Sequence, residues 1–148
     1  ALEKLYADDF ELIEYSVNER SVVFRFGLYF AKLLSDSSFN NYHLDCEYNR
    51  NMGKPKRIRN SPYGVIPDVL LHKRNSNDEN ILVLEFKGYW SKADREKDHK
   101  KIIDFTNQNE AYKYGLGGVV ELDYNNSNIV YYLGYEPKSI WPTGKNIN

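Results

Sequence analysis

The spacing of apolar residues predicts a mixed α/β domain, with one central sheet flanked by helices. Three observations carry this. Val22, Val23, Phe26, Tyr29, Phe30 and Leu33 recur at helical period across 19–34. Two apolar runs, 65–72 and 81–87, are separated only by a short polar turn, the spacing of a hairpin. A second amphipathic stretch then begins at Asp94 and leads to another apolar run at 116–122.

Residues 1–17 are acidic and mixed, a short helix or an irregular lead-in. Asn18 is a good N-cap for the helix over 19–34. The serine-rich and Asn-Asn segments after it end that helix. Residues 42–48 alternate: Tyr42, Leu44, Cys46 and Tyr48 face one way, His43, Asp45 and Glu47 the other, as in a half-buried strand. Residues 49–64 read as a loop. The run 65–72 reads as a strand with Pro67 near its entry, where proline is tolerated. From Asp94 a long helix reaches about residue 114, with Ile102, Ile103, Phe105 and Tyr112 inward and Gly115 as a left-handed C-cap. A strand over 116–122 follows, then a last one over 129–133. The glycines at 115, 117 and 118 leave a helix and enter a strand, the reverse of a phosphate cradle. No repeat or linker divides the 148 residues, so one domain is expected.

Composition narrows the function classes. At 41% hydrophobic and 28% charged, the chain is an ordinary globular protein. Its apolar runs are too short to span a bilayer, so no membrane partner is expected. A net charge of −1 argues against a DNA-coating protein but not against a nuclease, whose acidic centre offsets a basic groove. The single cysteine, Cys46, excludes an internal disulfide and fits a reducing, cytoplasmic setting; it reads as a small buried hydrophobe. His43, His72 and His99 lack the spacing of a zinc site. His99 reads as exposed, and His72, beside Lys73 and Arg74, could meet a phosphate.

The informative block is Pro67-Asp68 followed by Glu85-Phe86-Lys87. Strand alternation puts Glu85 and Lys87 on one face, and hairpin pairing brings Asp68 into the same neighbourhood. Two carboxylates at the margin of a core need a counter-ion. Oxygen donors of this kind suit Mg²⁺ or Mn²⁺. With Lys87 beside them, the chemistry that fits is phosphodiester hydrolysis. A salt bridge at the strand ends is the alternative on residue types alone. The segment 50–59 holds Arg50, Lys54, Lys56, Arg57 and Arg59 with no acid, a basic loop suited to phosphate contacts. Tyr48 and Tyr63 nearby could stack bases.

These residues resemble the PD-(D/E)xK, restriction-endonuclease-like nuclease superfamily, over about residues 18–122. Pro67-Asp68 matches its first motif and Glu85-Phe86-Lys87 its second. The stretches LDCEYNRN, VIPDVLLHKR and ILVLEFKG are similar to small stand-alone bacterial domains of that superfamily. The resemblance implies an α-β-β-β-α-β core and catalysis by Asp68, Glu85 and Lys87. It also implies a supporting metal carboxylate at Glu19, and site-facing polar residues at Asp98 (auxiliary) and Lys101 (nucleic-acid contact). Glu19 and the Asp98–Lys101 pair equally suit a helix dipole and a solvated i,i+3 pair. Glu47 reads as an exposed strand carboxylate. The expected function is a Mg²⁺-dependent deoxyribonuclease, with a homodimer supplying a second active site for duplex cutting. The alternatives are an inactive nuclease-fold module that binds nucleic acid or a protein partner, and a binder of a small anion near Lys87.

Overall fold

The computed structural model describes residues 1–59 and 61–133, and the backbone alone of 136–143. Two short helices, α1 (Leu2–Asp8) and α2 (Glu11–Glu14), form the lead-in and bury Leu2, Leu5 and Ile13. Asn18 caps α3 (Glu19–Ser35): its side chain accepts from the Arg20 N–H at 3.0 Å, satisfying one orphan donor of the first turn. Val22, Val23 and Phe26 turn inward, as the helical spacing predicts.

A small α/β domain is built on one mixed sheet of six strands. β1 (His43–Cys46), β4 (Val69–His72) and β5 (Asn80–Gly88) form an antiparallel meander. α4 (Arg95–Thr106) then carries the chain across, so that β6 (Leu116–Leu122) lies parallel to β5. β7 (Ser127–Leu133) and β8 (Glu136–Thr143) complete the sheet antiparallel. Helices α1 and α3 cover one face, where Val22, Phe26, Val69, Phe86 and Val120 pack together. Helix α4 covers the other, with Ile102 and Phe105 against Leu70, Val83 and Val119. Among the described residues no helix is long and apolar enough to cross a membrane.

Several expectations are corrected. The loop at 49–64 contains a separate hairpin of β2 (Arg50–Asn51) and β3 (Lys54–Pro55), turned at Met52 and Gly53, both at positive φ. The strand expected from 65 begins only at Val69. Val65 N–H bonds instead to Lys56 O at 2.8 Å, and Pro67 has no N–H to give a ladder. Helix α4 stops at Thr106 rather than near 114. The Thr106 hydroxyl donates back to Ile102 O at 2.9 Å, and Asn107 Oδ1 accepts from Asn109 N–H in a side-chain turn that replaces the helix. Gly115 therefore caps no helix, and its φ is not positive. Tyr112 is buried, but from the loop, with its ring 4.9 Å from Phe105. β7 is not the last strand, since β8 pairs beyond it.

At the end of β1 the burial reverses the polarity pattern, although His43 is exposed and Leu44 half-buried as expected. Asp45 is buried and Cys46 exposed. Glu47 takes a left-handed backbone (φ 52) that ends the strand, and the segment after it folds over the polar face.

Close packing of α4 on the sheet depends on Gly117. A Cβ there would stand 2.6 Å from both Ile102 Cγ2 and Thr106 Cγ2. Both neighbours are β-branched and stiff, so Gly117→Ala is expected to push α4 outward and destabilise the fold by about 1–3 kcal/mol. Urea unfolding reads this directly; a change below about 0.5 kcal/mol would mean that the helix shifts freely.

Candidate functional site

The carboxylates and lysines singled out by the sequence converge at one end of β5. Val69 stands opposite Leu84 in the antiparallel register, so one step further places Asp68 opposite Glu85. Asp68 lies just outside the strand. Its Oδ2 accepts from Phe86 N–H at 2.6 Å, which replaces a ladder bond and fixes the carboxyl against β5. Glu85 and Lys87 share the α4 face with Val83, while Phe86 points the other way to contact Phe26.

Helix α4 brings two more groups. Lys101 Nζ donates to Glu85 Oε2 at 2.7 Å and lies 3.8 Å from Asp98 Oδ1. Asp98 Oδ2 is 3.2 Å from Lys87 Nζ. From the opposite face, the start of α3 reaches around the strand end: Glu19 Oε2 is 3.6 Å from Lys87 Nζ, and Glu19 Oε1 accepts from Gly88 N–H at 2.7 Å. Asp68, Glu85, Lys87, Glu19, Asp98 and Lys101 thus form one connected cluster.

Its electrostatics are unbalanced at the carboxylates. Glu85 is only 3% exposed, and its Oε1 is buried without a hydrogen-bond partner among the described residues. Burial, reinforced by the charge of Asp68, pushes the Glu85 acid up to about 8 despite Lys101. Burial likewise raises Asp68 to about 6, against the Phe86 N–H and the two lysines. Lys87 is desolvated too, but Asp98 and Glu19 outweigh this and hold it protonated. Lys101 occupies one oxygen of Glu85, and the other, beside a second carboxylate, keeps an acceptor position that a divalent cation with oxygen preference would fit. Among the described residues no group of three or more His, Cys, Asp or Glu side chains stands ready to hold a metal. A cation here would therefore rest on Asp68 and Glu85 and fill its shell with water or phosphate oxygens, as Mg²⁺ commonly does.

An open cleft of about 550 Å³ adjoins Asp68, lined by Ser16, Asn18, Glu19, Arg20, Glu47 and Trp90 among others. Arg20 and Glu47 form an ion pair at 2.6 Å in its wall. Arg20 was not among the residues that the sequence singled out. The available signal was a cation in the first turn of α3, where the helix dipole disfavours one.

The basic segment does not act as one unit. Arg50 and Lys54 are exposed on the β2–β3 hairpin, and Arg57 is exposed beyond it. Arg59 is exposed but paired with Glu110. Lys56 departs from the expectation of a phosphate contact. It is 2% exposed, donates to Arg50 O at 2.7 Å, and sits 5.2 and 5.5 Å from the ring centroids of Tyr48 and Tyr112. Burial lowers its ammonium to about 8.

His72 is also turned away from any phosphate. It is buried, and its Nε2–H donates to Asp45 Oδ2 at 2.9 Å. His99, expected to be exposed, is half-buried with its Nδ1 2.5 Å from the Tyr132 hydroxyl. Compared with known proteins, the chain matches no family model and no curated protein.

Proposed function

We propose that this chain is a metal-dependent nuclease of the PD-(D/E)xK kind, hydrolysing phosphodiester bonds in DNA. The observation that carries the reading is Glu85 Oε1, buried beside Asp68 with no hydrogen-bond partner among the described residues. The succession α3, β1, β4, β5, α4, β6, with β6 returning parallel beside β5, supports a restriction-endonuclease-like core.

Asp68 and Glu85 are the residues that would hold Mg²⁺ or Mn²⁺. Bound there, the ion would lower the pKa of a coordinated water and offset charge on the scissile phosphate. Lys87, kept protonated by Asp98 and Glu19, presents a fixed ammonium that stabilises negative charge developing on phosphate oxygens. Glu19 and Asp98 position that ammonium from two sides. Lys101, 2.7 Å from Glu85 Oε2, holds a second ammonium beside the carboxylates that would contact the nucleic-acid backbone. Cutting both strands of a duplex would need a second copy of this site, which a homodimer would supply.

A second reading has its own observation. The Lys101–Glu85 contact at 2.7 Å is already an internal ion pair, as a binding module with a disused centre would have. Calorimetric titration of Mn²⁺ into the millimolar range separates the two. Uptake by the wild type, lost in Asp68→Ala and Glu85→Ala, is expected, followed by cleavage in a panel of duplex, single-stranded and RNA substrates. No uptake, even with an oligonucleotide present, removes the catalytic reading in favour of the module.

A further inference from the structure

Beside the carboxylate cluster lies a second groove of about 690 Å³ between α4 and the neighbouring residues Ile58, Arg59 and 61–65. Four basic side chains line it, Arg59, Lys97, Lys100 and Lys101, against one acid, Asp104. Its floor is apolar: Ile58, Val65 and Ile103 are only partly covered by their neighbours. Tyr63 is 78% exposed at the rim, so its ring is accessible without unpacking anything. Lys100 is paired with Glu96 and Arg59 with Glu110, whereas Lys97 is exposed and makes no ion pair among the described residues. Lys101 belongs to both places, since it lines the groove and contacts Glu85 at 2.7 Å.

We propose that this groove binds single-stranded nucleic acid, with bases against Tyr63 and the apolar floor and phosphates along the lysines of α4. The inference deepens the nuclease reading and rests on it only for where the strand leads, past Lys101 to Glu85. A duplex offers phosphates on a convex surface and keeps its base faces stacked inside, so an apolar concavity gains nothing from it. Unpaired bases expose faces that stack on aromatic and apolar side chains, and the accompanying phosphates need cations at the rim. This groove supplies both, and Lys101 at its wall reaches Glu85.

The test is fluorescence anisotropy of the full chain in EDTA, with a fluorescein-labelled oligothymidylate and a hairpin duplex of similar length. The oligothymidylate is expected to bind at least tenfold more tightly than the duplex. Tyr63→Ala is expected to weaken it about 5- to 100-fold, the loss of one stacked base. Lys97→Ala should lower the slope of log affinity against log salt by about 0.7, one phosphate contact to a single strand. Both side chains are exposed, so circular dichroism should be unchanged. Equal or tighter duplex binding, no measurable binding of either, or an unaltered oligothymidylate affinity in Tyr63→Ala each overturns the proposal. Mn²⁺ calorimetry without nucleic acid reads the catalytic centre separately. Loss of metal uptake with single-strand binding intact sinks the nuclease reading alone, and the converse sinks the groove alone.

Discussion

Glu85→Gln is expected to abolish Mn²⁺ uptake and reduce cleavage by on the order of 10³-fold or more, yet to stabilise the metal-free fold at pH 8 by about 1–3 kcal/mol. The two effects share a cause. Glu85 is buried beside Asp68 with one oxygen unpartnered, so in the folded protein its neutral form is favoured and its pKa stands above the unfolded value of 4.5. A raised folded pKa means that the native state holds the proton longer. The favourable contribution is complete below about pH 4.5 and is lost as pH rises towards about 8. Glutamine has the same shape, cannot ionise, and can still accept from Lys101. Its advantage should therefore be small at pH 5 and grow through neutrality. Thermal unfolding of both proteins in EDTA at pH 5 and pH 8 measures the difference. If the variant is instead the less stable at pH 8, the Lys101–Glu85 ion pair outweighs the desolvation of Glu85. The cluster would then be a structural bridge rather than a site awaiting a cation.

That cluster was legible in the sequence to the extent that it rests on β-strand geometry. Period-two alternation forces Glu85 and Lys87 to one face, and the short turn before Ile81 forces an antiparallel partner carrying Asp68. Glu19 could be placed because Asn18 marks the helix start so clearly. Asp98 and Lys101 were legible only as an i,i+3 pair. That they turn toward Lys87 and Glu85 depends on how closely α4 settles on the sheet, and the glycine that permits this, Gly117, carries no directional signal. The centre of the sheet followed the same logic, with the strand expected at 116–122 found as Leu116–Leu122.

What the sequence concealed lies around β1, where polar residues are buried. Asp45, Lys56 and His72 all read as surface groups by type, and Lys56 sits in a run of five basic residues. A side chain's burial there is decided by the loop that covers it, and the loop's path depends on the left-handed turn at Glu47 and on bonds far apart in sequence. The Tyr112 hydroxyl donates to Arg57 O at 2.8 Å, and Asn80 Nδ2 donates to Tyr112 O at 2.6 Å. Local periodicity cannot register contacts of that range. The length of α4 failed for a related reason: apolar residues at 112 and 114 continue a helical spacing by coincidence, while Thr106 and Asn107 end the helix through their side chains.

The buried group hidden in this way should be the most sensitive point of the fold. Asp45→Ala is expected to destabilise the protein by about 3–5 kcal/mol at pH 7, since it removes the buried acceptor shared by His72 and Arg74 and leaves the His72 ring unsatisfied. Asp45 accepts from His72 Nε2 and Arg74 Nε, each at 2.9 Å, and from Arg74 Nη2 as well. Burial alone would raise its pKa, but the hydrogen bonds from Arg74 and then His72 outweigh it and hold the acid well below the ordinary carboxylate range. A depressed folded pKa gives stability that is fully present above the unfolded value of 3.8 and disappears as pH falls through the folded one. The gap between wild type and variant should accordingly narrow as pH drops from 4 towards 2, and urea unfolding at pH 7 and pH 3 would show it. A loss under 1 kcal/mol at pH 7 would mean that Arg74, half exposed, screens the pair enough to make it a surface contact. The consequence also reaches the basic surface. The His72 ring lies 5.1 Å from Tyr48, and Tyr48 holds Lys56 beneath the hairpin that precedes Arg57 and Arg59. If the proposed nuclease function holds, loosening Asp45 should therefore weaken oligonucleotide binding, read by anisotropy, before it disturbs Mn²⁺ uptake, read by calorimetry, because Asp68 and Glu85 are fixed by their own bonds to β5 and α4.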